Sequence, residues 1–489
     1  MPRIVGRDEE ISTLKRLLES KNSEFLALYG RRRIGKTYLI RQFFRGTGAV
    51  FFNVTGSKEG ALKEQLTHFV QKIGEVFYDG AVLTTPKNWS EAFKVLTKAV
   101  DIQPKKKKIV LFFDEIPWMA TPKSRLLQSL DYYWNQYWSN DSRIKLIICG
   151  SSASWIIHKV INNRGGLHNR ITRRMHLEPF TLLETKLFLQ SVGVKLDHQQ
   201  ILMLYMVTGG IPHYLADLEA GLSAAQLVEK LAFTKNGILL DEFKNLFASL
   251  FHHAEDYIQI IRAIASRRYG IGKNELLSML GSSAMGGGGA KRLEELEETG
   301  FIMGFMPYQH KRRGICYRVV DEYTLFYLKW IEPIQNALQK KSLEEGYWLS
   351  LQSAPEWHNW LGYAFEAVCY KHIACIRKAL AISPGAIADS WRYVPRKDSE
   401  ERGAQVDLLF DRRDDAITLC EIKYTDKPFV LSKGDAEVLQ RKLEVFKERT
   451  GTRKQLFLAL ISANGLKKNF YTEELIQGLV TLDDFFKKN

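Results

Sequence analysis

An apolar run that halts at a glycine and resumes as a helix behind a Lys-Thr pair leaves a chain few ways to fold. Residues 25–43 read FLALYGRRRIGKTYLIRQF. The first five suit a buried strand, the last seven a helix, and Gly30-Arg31-Arg32-Arg33-Ile34-Gly35-Lys36-Thr37 between them satisfies G-x-x-x-x-G-K-[ST]. The spacing has a physical reason. Glycines let consecutive backbone N–H groups turn inward at a helix N-terminus, whose partial positive charge favours an anion. These eight residues are therefore candidates for holding ATP. Lys36 would bridge the β- and γ-phosphates, and the Thr37 hydroxyl would bind Mg²⁺.

Two further strands fit the same chemistry. KKKKIVLFFDEIPWM (105–119) is apolar on both faces, as in a parallel sheet covered by helices, and ends in Asp114 and Glu115. Asp114 would hold the Mg²⁺ shell, and Glu115 would orient or deprotonate the attacking water. Lys105 to Lys108 read as a solvated turn. KLIICGSS (145–152) ends in Ser151 and Ser152, either of which could sense the γ-phosphate; Ser151 is taken as the cofactor-binding candidate. The basic stretch RGGLHNRITRRMHLEPF (164–180) offers Arg164, Arg170, Arg173 and Arg174. Arg170 is the candidate arginine finger, acting in cis or from a neighbouring subunit.

With IVGRDEEISTLKRLL (4–18) and TGGIPHYL (208–215), these motifs occur in an order that resembles the archaeal-type ATPases of the AAA+/STAND-related class. The resemblance covers roughly residues 1–250. It implies that Gly6, Arg7 and Glu10 pack by the nucleotide base, and that Gly209, Gly210 and Pro212 sit in a helical lid. His213 reads as a packed or surface residue rather than a phosphate ligand.

Downstream, residues 266–331 alternate two short helices with two strands joined by the basic hairpin His310-Lys311-Arg312-Arg313, a winged-helix pattern. The helix AKRLEELEETG turns Leu293 and Leu296 inward and leaves Glu294, Glu295, Glu297 and Glu298 largely outward. Four carboxylates against a phosphate-lined groove repel, so the hairpin tip is the better nucleic-acid contact. The glycines at 286–289 read as a flexible turn, and the Trp-rich start of the last domain is expected to dock on the winged helix.

The last third carries a helix (362–380), a basic segment (391–405), the strand VDLLF (406–410), a turn, the strand AITLCEIKY (416–424), a helix (433–451) and the strand QLFLALIS (455–462). That order resembles the PD-(D/E)XK restriction-endonuclease-like fold, with Val406 in place of the eponymous proline. The resemblance implies Asp407 and Glu421 as the paired acids and Lys423 as the lysine. Glu366 is the candidate extra acid, Gln440 a weaker one, and the Ile422 carbonyl a further metal ligand. Residues 421 and 423 share one face of a strand, so Lys423 would lie beside a water activated at the metal. Mg²⁺, or Mn²⁺, suits such oxygen ligands.

The expected fold is thus multidomain α/β. It comprises a P-loop ATPase core with a parallel sheet (1–178), a helical lid (179–250), a winged helix (251–335) and a nuclease-like domain (336–489). A net charge of +15 over 489 residues favours a polyanionic partner, and the nuclease resemblance implies double-stranded DNA above RNA. The five cysteines lack metal-binding spacing and read as reduced core thiols. No apolar run approaches the ~20 residues of a membrane span, and no leader is evident at the start, so a cytoplasmic location and no membrane partner are expected. A homo-oligomer is compatible with the resemblance. The function expected is an ATPase controlling a DNA-cutting, metal-dependent nuclease. The alternatives are a STAND-like nucleotide switch, or a nucleic-acid-binding ATPase whose nuclease fold is silent.

Overall fold

Strand β1 (Glu24–Tyr29) is the apolar run before the phosphate loop, and helix α2 (Lys36–Phe44), following α1 (Asp8–Glu19), leaves that loop. In this computed structural model, which describes residues 4–162, 166–167, 169–285, 288–309, 314–340, 346–395 and 403–488, the chain divides after Pro179. Residues 163–165, 168 and 310–313 lie outside that description, so Arg164 and the basic hairpin tip receive no placement. The same holds for Gly286 and Gly287 and for the side chains of 282–285.

In the first unit, β1 pairs in parallel with β4 (Ile144–Gly150) and β5 (Arg173–His176), and β3 (Ile109–Asp114) lies between β2 (Val50–Thr55) and β4. The sheet order is β2-β3-β4-β1-β5. Every residue of β3 and β4 is buried, which is why these runs are apolar apart from Asp114 and Lys145. Helices α3 (Leu62–Phe77) and α4 (Trp89–Asp101) bury residues three and four apart, including Leu66, Phe69, Val70 and Ile73, against the sheet. The Asn88 side chain caps α4 by accepting from the Glu91 N–H.

The second unit, residues 180–489, begins with a helical segment. Helices Leu182–Ser191 and His198–Thr208 meet at Gly210, whose φ of +67° and proximity to the Phe180 carbonyl leave no room for a side chain. The Leu182 N–H donates to His372 Nε2 at 3.1 Å, and His372 Nδ1 lies 2.8 Å from the Val368 carbonyl. An acceptor Nε2 requires the proton on Nδ1, and burial holds this imidazole neutral by lowering its pKa to about 4.

A small antiparallel sheet, order β6-β8-β7, comprises β6 (Ile271–Gly272), β7 (Ile302–Phe305) and β8 (Cys316–Val319), with three helices between residues 254 and 298. Its acidic helix Gly289–Glu298 leaves Glu294 and Glu297 exposed, as expected, but not Glu295. Glu295 turns inward to hydrogen-bond Tyr257, and Glu297 accepts from the Gly304 N–H at 2.8 Å. Trp348, Trp357 and Trp360 pack around Phe326 and Trp330, with Trp348 also stacked on Phe233.

The remaining strands are β9 (Ile387–Tyr393), β10 (Ala404–Asp411), β11 (Ala416–Lys423), the short parallel pair β12 (Phe429–Val430) and β14 (Leu466–Lys467), β13 (Gln455–Ser462) and β15 (Gly478–Thr481). The main sheet runs β15-β13-β11-β10-β9, antiparallel over β9–β11 and parallel from β11 to β15. The segment read as merely basic therefore begins in a strand, since Trp391 is buried against β10 and Phe446. Among the described residues no helix is long and apolar enough to cross a membrane, and all five cysteines are free thiols.

One buried ion pair tests the packing of the second unit. Glu322 is fully buried and bound by the Lys371 ammonium. Burial pushes the Glu322 carboxyl up, and Lys371 opposes that push. Lys371→Met strands the carboxylate and should cost about 3–5 kcal/mol. A folded pKa above the unfolded one means stability is lost as pH rises. The drop in thermal midpoint should therefore be larger at pH 8 than at pH 5; a drop independent of pH would contradict this role.

Candidate functional site

Two clusters of titratable side chains lie at strand ends, one in each unit. In the first, Gly30 closes β1 with φ of +142°, and a Cβ there would stand 2.2 Å from the Leu177 carbonyl oxygen. Gly35, at φ of +89°, precedes α2. The loop thus needs its glycines for backbone geometry. The Lys36 ammonium is buried and donates to the Gly30 and Arg31 carbonyls at 2.8 and 2.7 Å. Burial lowers its pKa, while Cys149, Glu115 and Asp114 act the other way.

Thr37 Oγ1 donates to Asp114 Oδ2 at 2.8 Å, so the two proposed Mg²⁺ ligands from α2 and β3 already meet. Asp114 Oδ1 is buried and has no hydrogen-bond partner among the described residues. An orphaned carboxylate oxygen beside a hydroxyl suits a hard cation, so these residues fit Mg²⁺. Glu115 follows at φ of +50°, and its Oε2 accepts from the Ser151 N–H and hydroxyl at 3.0 and 2.9 Å. Burial pushes the Glu115 carboxyl up despite Lys36 and these donors. Of the two serines, Ser151 faces the site, whereas Ser152 caps the helix Ala153–Ile156. Arg7, buried at the start of α1, pairs with Glu10 and reaches the Ile34 carbonyl at 3.4 Å, tying the first motif to the phosphate loop.

Arg170 is not brought to this cluster in its own chain. β5 is parallel to β1, with Arg173 beside Leu26 and His176 beside Tyr29 at the phosphate-loop end. Arg170 precedes β5 and so lies toward the opposite end of the sheet, exposed. Arg173 is spent on Glu24. Sequence adjacency cannot show which end of a strand a loop occupies until the strand's direction is known.

The second cluster lies where β10 and β11 leave their ladder. The last paired residues of that ladder toward this end, Leu408 and Cys420, are followed by Asp407, whose Oδ2 accepts from the Ile422 N–H at 3.2 Å. On its other side β10 shifts register against β9 between Val406 and Leu409, a bulge that re-aims the intervening Asp407. Asp407 Oδ1 accepts from the Gln405 amide at 3.1 Å. Glu421 Oε1 pairs with Lys423 at 2.9 Å and Oε2 with Lys442 at 2.6 Å. Glu366, on the helix Pro355–Lys371, pairs with Arg268 at 2.7 Å. The N–H and C=O of a strand residue point the same way, so the Ile422 carbonyl also faces the β10 side.

Asp407, Glu421, Glu366 and Lys423 are therefore gathered at one place, and the three acids are buried. Burial, then the Glu421 and Glu366 charges, push the Asp407 carboxyl up to about 7. Burial works in the same direction on Glu421, but the Lys442 and Lys423 ammonium groups outweigh it and hold that carboxyl down. Burial raises Glu366, opposed by Arg268. Gln440 is exposed; on that helix Lys442 makes the contact instead. Sequence reasoning missed Lys442 and Arg268. A lysine two residues beyond Gln440 was visible, but only the helix's rotation decides which side chain faces β11.

Residues 4–218 match a family described as an ATPase domain predominantly from Archaea. An uncharacterized protein of Methanocaldococcus jannaschii is 25% identical over 425 residues, 86% of this chain and 88% of the relative. Among solved structures, the Walker-type ATPase of Pyrococcus abyssi is 20% identical, covering 67% of this chain and 96% of that one, with a TM-score of 0.46. The ORC2 protein of Aeropyrum pernix is 16% identical, covering 70% and 96%, with a TM-score of 0.44.

If Gly30 is needed for close approach rather than for charge, Gly30→Ala should weaken binding of a fluorescent ATP analogue about tenfold or more. Wild-type affinity in that variant would remove the steric account. Residues 4–218, with a phosphate loop whose threonine meets the strand-end acid, are thus similar to an ATPase domain found predominantly in Archaea.

Proposed function

We propose that this chain is an ATPase that controls a metal-dependent nuclease acting on DNA, with the nuclease centre at Asp407, Glu421, Lys423 and Glu366. The observation that carries the reading is the meeting of three buried carboxylates and a lysine at the bulged end of β10 and β11. Such a cluster is costly unless an ion or substrate completes it, because buried charge needs a counter-charge. Asp407, Glu366, Glu421 and the Ile422 carbonyl would hold Mg²⁺ or Mn²⁺, an all-oxygen donor set that these ions favour. The ion would supply Lewis acidity toward a phosphodiester. Lys423, on the same strand face as Glu421, would orient the attacking water through Nζ and steady the charge that develops on phosphate.

In the ATPase domain, Lys36 and the loop N–H groups would hold the phosphates, Thr37 and Asp114 would hold Mg²⁺, and Glu115 would position water. Arg170 would serve a neighbouring copy's nucleotide, which makes a homo-oligomer part of this reading. The basic sequence run His310-Lys311-Arg312-Arg313 and the net charge of +15 support a nucleic-acid partner.

One observation favours a slower, switch-like ATPase as a second reading. Glu115 Oε2 is held by both donors of Ser151, so that serine restrains how the carboxylate can turn toward water. Ser151→Ala should then raise unstimulated ATP turnover; a fall would favour a γ-phosphate-sensing role without a switch.

The nuclease reading is tested by plasmid cleavage in Mn²⁺. Lys423→Ala should slow cleavage by about a hundredfold or more. Cleavage at the wild-type rate would remove the assignment.

A further inference from the structure

Within the second unit, a cavity of about 230 Å³ lies between the small three-stranded sheet and the β9–β10 edge of the main sheet. At ~30 Å³ per water it has room for about eight waters, or for a sugar-phosphate unit. Its lining carries both charges. Glu275, Glu366 and Asp407 are the acids, and Arg268, Arg318 and Arg392 contribute the cations.

The arginines are held in different ways. Arg318, only 7% exposed, has its guanidinium sandwiched between Phe305 at 3.6 Å and Tyr370 at 4.1 Å. One of its terminal nitrogens donates to Ser390 Oγ at 3.0 Å, and its Nε is buried with no hydrogen-bond partner among the described residues. A fork donor fixed by stacking, with a donor unspent, is preorganised for an oxyanion. Arg268 is different: its side chain is 45% exposed and reaches in to the buried Glu366. Arg392 is exposed and lies over Tyr269.

We propose that this cavity is a phosphodiester-binding subsite, in which Arg318 holds a backbone phosphate next to the acid cluster and Arg268 exchanges Glu366 for that phosphate. The inference rests on the nuclease reading above and names where its substrate lies. A lone cation would meet three arginines, and a lone anion would meet Asp407, Glu366 and Glu275. A phosphodiester accompanied by a divalent ion satisfies both sets of charges. As the ion takes Glu366, like-charge repulsion frees the Arg268 guanidinium, whose exposure lets it swing to the phosphate.

The test uses the full chain with Lys423→Ala, so that a labelled 20-base-pair duplex stays uncut, and reads fluorescence anisotropy with Mn²⁺ over a range of salt. Arg318→Met and Arg268→Ala should each weaken binding about tenfold or more and lower the salt slope by about one. Arg318→Lys, which keeps the charge but loses the fork, should recover only part. Should Arg318→Met fail to fold, Arg268→Ala decides alone, because its side chain is half-exposed. Unchanged affinity and slope would overturn the subsite. Adding Asp407→Asn separates the two readings. If it abolishes Mn²⁺-dependent tightening while the arginine variants bind normally, the metal centre stands and the subsite falls. If Mn²⁺ never matters but the arginine variants bind weakly, the subsite stands and the metal centre falls.

Discussion

A carboxylate taken out of water has to meet a cation, a hydrogen-bond donor or a proton, and both clusters in this chain are organised by that demand. Asp114 is met by Thr37 and, more distantly, Thr55; Glu115 by Ser151; Glu366 by Arg268; and Glu421 by two lysines. The compensation is uneven. Asp407 has only a backbone N–H and an amide, which are neutral donors, so it alone is driven far toward its protonated form. Apolar side chains would pack these places at lower cost. Keeping half-compensated acids in two separate parts of a chain is understandable if bound ions and phosphates complete them.

The same logic changes how the acidic helix of the middle segment is to be understood. Read as a surface, its glutamates repel nucleic acid. In the fold, Glu295 turns in to Tyr257, while Glu297 stays exposed and braces a β7 N–H, so two of the four are used within the segment. The cations of this segment that line the cavity beside Asp407 come not from its helix but from strand β8, with Arg318, and the loop before β6, with Arg268.

How much of this could be read from the residues follows from the range of the contacts involved. The phosphate loop was legible because its function is written in eight consecutive residues, and β3 and β4 were legible because full burial makes most of a strand apolar. Asp407, Glu421 and Lys423 were legible because they sit on one hairpin. The bulge at Asp407 was not: it comes from a register mismatch with β9, a strand hidden in a stretch that reads as basic. Lys442 and Arg268 reach the acids from 21 and 98 residues away, and no local pattern records such a pairing. Arg170 shows the same limit from the other side, since the direction of β5, not the composition of its loop, sets where that arginine lies.

The most direct measurement is anomalous diffraction from crystals of the full chain grown with Mn²⁺. A nuclease centre requires an ion among the Asp407, Glu421 and Glu366 carboxylates and the Ile422 carbonyl, with the Arg268 guanidinium withdrawn. Crystals in which Mn²⁺ is bound beside Asp114 while Arg268, Lys423 and Lys442 still hold Glu366 and Glu421 would show instead that those acids serve only to pair with their neighbours.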